Sequence, residues 1–96
     1  MDRETIFSEL RSAETELRNR GVKSLAVFGS VARGDSRTGS DIDILVDFSR
    51  PVGLFDFLRL KAFLEQLTHC RVDLVTQDAL RPEMKERILR EAVNVH

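Results

Sequence analysis

Two carboxylates separated by one residue are the strongest chemical signal in this 96-residue chain. Asp41 and Asp43 flank Ile42 in a run where apolar and polar residues alternate, as in a β-strand with one buried face. Side chains two residues apart on a strand point the same way, with Cα atoms roughly 6 to 7 Å apart, so both carboxylates can approach one cation. Hard oxygen ligands favour Mg²⁺, which completes its coordination with water and substrate phosphates.

A Gly-Ser pair upstream could hold the phosphates that accompany such a metal. Gly29 and Ser30 follow a short apolar run, and ten residues separate Ser30 from Asp41. Glycine lets the backbone come close to a phosphate, the serine hydroxyl can donate a hydrogen bond, and the free amides of the following turn favour negative charge. Each motif alone is usually a solvated strand face or a simple turn, and the ordered combination is what favours a functional site.

The third acid of the site can be chosen by geometry. Asp47 lies four residues beyond Asp43 on the same predicted strand, roughly 13 Å away at about 3.3 Å per residue, which is too far to share a metal. Asp73 belongs to a later strand that can pair beside the first, and it could reach both the cation and an incoming hydroxyl. Asp35 is interpreted as a turn residue and Asp56 as a charge at a helix N-terminus.

Arg33, which follows Ser30 by three residues, is predicted to neutralise part of the charge of a triphosphate. Arg37 and Lys61 have no spacing argument of equal weight, and surface Arg and Lys are usually just solvated. Cys70 is interpreted as a small core residue at the start of a strand, and His69 as a loop or strand-end residue. Neither is expected to take part in the chemistry.

The elements that must position these residues follow from hydrophobic periodicity. Ile6, Leu10, Ala13 and Leu17 recur at helical spacing, and the last helix is predicted to bury Met84, Ile88, Leu89 and Ala92. Between them the pattern indicates three strands and a middle helix. In chain order we predict a helix ending near Gly21, strands over 22–28 and 41–48, a helix after Gly53, a strand over 71–75 and a helix from Pro82.

The middle helix carries more apolar surface than one core face needs. Four residues at helical spacing mark the expected core side, namely Phe57, Leu60, Leu64 and Leu67. Four others widen the apolar surface beyond that stripe, namely Phe55, Leu58, Ala62 and Phe63. The excess predicts a surface for a protein partner.

Size, charge and cysteine content exclude several classes of protein. Ninety-six residues support one domain with one core, which leaves no room for a second, acceptor-holding domain. Fifteen basic and sixteen acidic residues give a net charge of −1, so stable unaided binding to nucleic acid is not expected. The single cysteine rules out an internal disulfide and, with two histidines, a four-ligand zinc site. Without a signal segment or a run of roughly 20 apolar residues, we expect no membrane association and a cytoplasmic location.

The chain resembles the minimal nucleotidyltransferases (MNT) of the DNA polymerase β superfamily. The resemblance rests on GSVARG at 29–34, SDIDILV at 40–46 and VDLV at 72–75. The GLFD of 53–56 and the LRP of 80–82 are further similar to the MNT antitoxins that accompany HEPN-domain toxins. The resemblance implies an α/β (α+β) fold, with a small mixed sheet flanked by helices, in a single nucleotidyltransferase domain over residues 1–96.

The same resemblance implies an enzymatic activity and a role in it for each candidate residue. It implies Mg²⁺-dependent transfer of AMP from ATP to a tyrosine hydroxyl of a HEPN-type toxin, which would be silenced within a hetero-oligomer. Catalysis and metal binding would fall to the three acids Asp41, Asp43 and Asp73. Binding of ATP would fall to the loop residues Gly29, Ser30 and Arg33.

Two other functions remain as alternatives. The chain could be a non-catalytic antitoxin that inhibits its partner by binding alone, with the acids kept as a vestige. Transfer to a small molecule such as an aminoglycoside is disfavoured, because those enzymes resemble this core but need an added domain to hold the acceptor.

Overall fold

A computed structural model describes residues 3–34 and 41–96 of the chain. In chain order the helices are α1 (Arg3–Ser12), α2 (Glu14–Asn19), α3 (Gly29–Arg33), α4 (Leu54–Thr68) and α5 (Pro82–Glu91). The strands are β1 (Val22–Phe28), β2 (Ile42–Phe48), β3 (Val72–Thr76) and β4 (Val93–Asn94), and a 3₁₀ turn covers Gln77–Ala79.

The four strands form one mixed sheet in the order β3-β2-β1-β4. β2 pairs with β3 in parallel, while β1 pairs antiparallel with both β2 and β4. A parallel neighbour requires a crossover connection, and the 15-residue helix α4 supplies it between β2 and β3. The α/β fold with a small mixed sheet and flanking helices, predicted from the sequence, is therefore confirmed.

The central strands hold the core. In β1, Leu25, Ala26 and Val27 are all buried, as expected for a strand covered on both faces. In β2, Ile42 and Ile44 are fully buried, and the helices cover them with apolar side chains. The other buried residues of this core cluster are Ile6, Phe7, Leu10, Ala13, Leu17, Val22, Val31, Ala32, Val46, Leu60, Leu64, Val72, Leu74 and Val95.

The predicted first helix is divided in two. Ala13 has φ −92° and ψ 16°, outside helical geometry, and separates α1 from α2. All four residues of the predicted stripe are nevertheless buried, so the apolar periodicity identified the buried face but not the break. Gly21 follows the second helix with φ +84°, the left-handed conformation expected there.

The expected burial along the last helix is partly wrong. Ile88 is buried, but Met84 is 40% exposed and Leu89 is 42% exposed. α5 packs mainly against the short helix α3, so only a narrow strip of its surface is covered. The chain then returns along the edge of the sheet as β4, a strand too short for the sequence pattern to predict.

Residues 3–34 and 41–96 contain no helix that is both long and apolar enough to cross a membrane.

Candidate active site

The parallel pairing of β2 with β3 brings the predicted acids together. Asp43 and Asp73 are direct partners across the two strands, at the spacing of neighbouring strands, about 4.8 Å. Asp41 immediately precedes β2, two residues before Asp43. Asp41 and Asp73 are exposed, while Asp43 is half-buried between them and the loop described next.

The Gly29 turn closes directly over this cluster. Phe28, the last residue of β1, is the register partner of Asp43, so the chain leaves the sheet beside the carboxylate. Gly29 has φ +73°, and a Cβ placed there would overlap Oδ2 of Asp43. Both the left-handed backbone and the close approach require glycine at this position.

The short helix α3 begins at this glycine and carries the other predicted phosphate ligands. Val31 and Ala32 are buried and anchor the helix, while Ser30 is half-buried in its first turn. Amides of a first helical turn have no partner within the helix, so acceptors from outside the helix can bind them. Arg33 ends the helix, with its side chain 51% exposed.

Glu91, at the end of α5, is a site residue that sequence reasoning missed. The Gly29 N–H donates a hydrogen bond to Glu91 Oε1 at 3.3 Å. Arg33 Nη1 lies 3.4 Å from the same oxygen, forming an ion pair. No sequence spacing links Glu91 to residues about sixty positions earlier, and only the pairing of β4 with β1 could have indicated the contact.

The electrostatics of the cluster favour a bound cation. Burial raises the pKa of Asp43, and the negative charges of Asp73 and Asp41 raise the pKa further. Arg33 acts in the opposite direction, while Glu91 adds to the rise. A divalent cation beside these carboxylates would offset the repulsion that the raised pKa reflects.

The chemistry of the carboxylates and of the Gly29 turn fits a Mg²⁺ that is shared with a substrate. Within the described ranges, no three His, Cys, Asp or Glu side chains converge closely enough to hold a metal by themselves. Mg²⁺ is usually held by one or two carboxylates and completed by water and substrate phosphates. The carboxylate oxygens here are donors of that kind, and the Gly29 turn lies beside them.

Residues 10–95 match the family model of the nucleotidyltransferase domain. The chain belongs to this nucleotidyltransferase family. It is 44% identical over 93 residues to the protein adenylyltransferase MntA of Thermococcus cleftensis, covering 96% of this chain and 94% of that protein.

Two solved structures are similar to this nucleotidyltransferase. A minimal nucleotidyltransferase aligns with a TM-score of 0.85 and 42% identity, over 97% of this chain and 95% of that one. A Shewanella oneidensis complex of MNT antitoxin with tri-AMPylated HEPN toxin aligns with a TM-score of 0.65, over 94% of this chain and 71% of that one. At 17% identity, this likeness shows a shared fold only. The family predicted from the sequence is thereby confirmed.

In the nucleotidyltransferase, Asp47 and Asp56 lie away from this cluster. Asp47 is exposed near the far end of β2, where it lines an open cleft of about 510 Å³. Asp56 lies in the first turn of α4 and pairs with Arg59 at 3.1 Å, as expected of a helix N-terminal charge. The prediction for Asp35 lies outside the described residues.

Lys61, His69 and Cys70 of the nucleotidyltransferase lie on α4 or directly after it. Lys61 is half-buried on α4. His69 ends α4 in a left-handed conformation with φ 57°, and Cys70 packs partly buried against the core. These positions agree with the structural roles expected for both residues. The prediction for Arg37 falls on a part of the chain that is not described.

Proposed function

We propose that this nucleotidyltransferase is a Mg²⁺-dependent protein adenylyltransferase. It transfers AMP from ATP to a tyrosine hydroxyl of a HEPN-type toxin and thereby acts as an antitoxin. We place the whole activity in one domain over residues 1–96, in the cytoplasm, within a hetero-oligomer with the toxin and without stable binding to nucleic acid. The observation that carries the proposal is the register of Asp43 with Asp73, directly under the Gly29 turn.

The loop residues take the donor side of the reaction. Ser30 donates its hydroxyl to a phosphate oxygen, Gly29 gives the triphosphate close access to the backbone, and Arg33 neutralises part of its charge. Asp41 and Asp43 would hold the Mg²⁺ that accompanies ATP. When bound, Mg²⁺ neutralises phosphate charge and lowers the pKa of the attacking hydroxyl.

Asp73 takes the acceptor side. It lies one strand away from the Asp41–Asp43 pair, in register with Asp43, and its exposed carboxylate can meet a hydroxyl from outside the chain. The acceptor oxygen bonds to the α-phosphorus of ATP, the bond from that phosphorus to the β-phosphate bridging oxygen breaks, and pyrophosphate leaves. The hydroxyl proton passes to the Asp73 carboxylate. Positioning and charge neutralisation supply most of the rate enhancement in such transfers.

The acceptor protein is proposed to dock on α4. At the start of this helix, Leu54 is 68% exposed, Phe55 is 75% exposed and Leu58 is 47% exposed. Adjacent exposed apolar side chains of this size are unusual on a monomer and are typical of a protein interface. The partner's chemistry is suggested by the MNT antitoxin that shares this fold and whose partner is a tri-AMPylated HEPN toxin.

Inhibition by binding alone is the second candidate function. The exposed apolar surface of α4 favours it, because a stable complex through that helix would need none of the three acids. The similarity to the protein adenylyltransferase MntA, over nearly the full length of both chains, favours catalysis instead.

The test is to express the chain with a cognate HEPN-type protein and to measure the intact masses of both. The partner should gain whole adenylyl groups only when ATP and Mg²⁺ are both present, and peptide mapping should place them on tyrosine. Omission of Mg²⁺, with chelator added, is the control. An unmodified but fully inhibited partner would favour binding alone and reject the enzymatic proposal.

A further inference from the structure

We propose that Glu91 is a positioning residue for the triphosphate: it holds the Gly29 amide and the Arg33 guanidinium in place before ATP arrives. The inference rests on the proposed function, because it assigns Gly29 and Arg33 to the phosphates. It adds a fourth acidic residue to the site, supplied by the last helix and acting through its two neighbours.

The position of Glu91 follows from the pairing at the edge of the sheet. Val27 pairs with Val93 and Ala26 with Asn94 in the antiparallel ladder of β1 and β4. Continuing that register by two residues brings Glu91 opposite Gly29, where the chain turns out of the sheet. The Val95 N–H donates to Leu25 O at 2.9 Å and extends the same attachment toward the C-terminus. The backbone therefore fixes where the Glu91 side chain starts.

The contacts of Glu91 join three parts of the site. Oε1 accepts from the Gly29 N–H at 3.3 Å and lies 3.4 Å from Arg33 Nη1, while Oε2 lies 3.5 Å from the same nitrogen. Gly29 in turn lies against the Asp43 carboxylate so closely that a Cβ would not fit. A movement of Glu91 would thus reach Asp43 through the Gly29 turn.

The physical benefit is preorganisation. Arginine has many rotamers, and a site that must order its guanidinium during binding loses affinity for its ligand. The Glu91 side chain is only 22% exposed, against 51% for Arg33, so the carboxylate is the more firmly held member of the pair. Its negative charge would repel a phosphate. The affinity gained by ordering Gly29 and Arg33 in advance must therefore exceed the affinity lost to this repulsion. Glu91→Gln separates the two effects because it keeps an accepting oxygen and removes the charge.

The first test uses the ATP-free protein and does not depend on the proposed function. In ¹H–¹⁵N spectra, Glu91→Ala should move the Gly29 amide resonance and speed its hydrogen exchange, while Glu91→Gln should keep both near the wild-type values. The control is Glu86→Ala, which removes the same charge from an 84% exposed side chain of α5. A Gly29 amide that is unchanged in Glu91→Ala would overturn the inference.

The second test measures Mg²⁺·ATP affinity by calorimetry on the same variants, with the melting temperature as the check of folding. Glu91→Ala should weaken binding about three- to tenfold, the loss expected when one long side chain must be ordered on binding. Glu91→Gln and Glu86→Ala should bind Mg²⁺·ATP within about threefold of wild type. Equal or tighter binding by Glu91→Ala would overturn the inference and identify Glu91 as a competitor of the phosphate. Equal weakening in Glu91→Gln would also overturn it, because the accepting oxygen would not matter. A wild-type chain that binds no Mg²⁺·ATP would instead refute the proposed function, leaving the spectroscopic result as it stands.

Discussion

Gly29→Ala is a perturbation whose cost can be worked out from the structure. The substitution adds one methyl group at a backbone position with φ +73°, directly facing Oδ2 of Asp43. Two independent penalties follow. An L-residue is strained in the left-handed region, and the new Cβ must push away either the carboxylate or the turn itself.

The size of each penalty can be estimated. The left-handed conformation costs a residue with a Cβ about 1 to 2 kcal/mol. Overpacking of a close contact costs about 1 to 3 kcal/mol more. The sum, about 2 to 5 kcal/mol, is a large part of the roughly 5 to 14 kcal/mol expected for a domain of this size. Gly29→Ala should therefore fold but melt at least about 8 °C lower.

Gly34→Ala is the matched control because it separates strain from overlap. Gly34 has φ +79°, and among the described residues the nearest atom to its added Cβ is Cδ of Arg3, at 4.0 Å. This variant should lose only the conformational part, about 1 to 2 kcal/mol. Urea denaturation of both variants gives the overlap term as the difference between their free energies of unfolding.

An Asp43→Ala background provides the second control. Removing the carboxylate should abolish the overlap, so that Gly29→Ala and Gly34→Ala become equally costly there. Equal costs in the wild-type background would refute the reasoning, since they would mean that the turn does not lie against Asp43. Transfer activity at a temperature where both variants are folded should fall more in Gly29→Ala than in Gly34→Ala.

Three further predictions concern the separate roles at the site and at the partner surface. Asp73→Asn should leave Mg²⁺·ATP affinity nearly unchanged but slow single-turnover labelling of the partner by about 10²- to 10⁴-fold, the usual worth of a general base; wild-type labelling would make Asp73 only a strand residue. Ser30→Ala should weaken ATP binding by about 1 to 3 kcal/mol in calorimetry, the range for hydrogen bonds to charged groups, and an identical affinity would reject it as a phosphate ligand. Phe55→Asp should break the partner complex in size-exclusion chromatography without changing the urea midpoint, whereas Gln66→Asp, at an exposed polar position of the same helix, should keep the complex. Unfolding by Phe55→Asp would contradict the interface.

The sequence predicts the arrangement of the candidate residues well where its signals are local. The strand over 22–28 has the bounds of β1, because its apolar run ends at a glycine that cannot continue the strand. The alternation around Asp41 and Asp43 fixes the face of β2, since a one-residue slip would bury the acids and expose Ile42 and Ile44. The choice of Asp73 needed only the assumption that two strands pair, and the parallel register places it beside Asp43.

The features that sequence reasoning missed depend on contacts distant along the chain. β4 is two residues long and exists because the chain after α5 meets the free edge of β1, which no local pattern encodes. Met84 and Leu89 have helical spacing relative to Ile88, but α5 covers only a narrow strip, so periodicity overestimated its buried face. The role of Glu91 could not be predicted from the sequence, because Gly29 and Arg33 come near it only after the sheet has formed.

The most direct test of the central claim is the rate of labelling of the HEPN-type partner from ATP labelled at the α-phosphate, for wild type and for Asp41→Asn/Asp43→Asn. The double variant keeps the side-chain shapes but removes the charge that holds Mg²⁺. The pKa of Asp43 is raised in the folded protein, so its charged form lowers the stability of the fold at a pH above the pKa that this carboxyl has in the unfolded chain. Without metal, the double variant should therefore be at least as stable as wild type at pH 7. A folded double variant with no metal-dependent labelling is the predicted result. Labelling at the wild-type rate in a folded double variant would contradict the account.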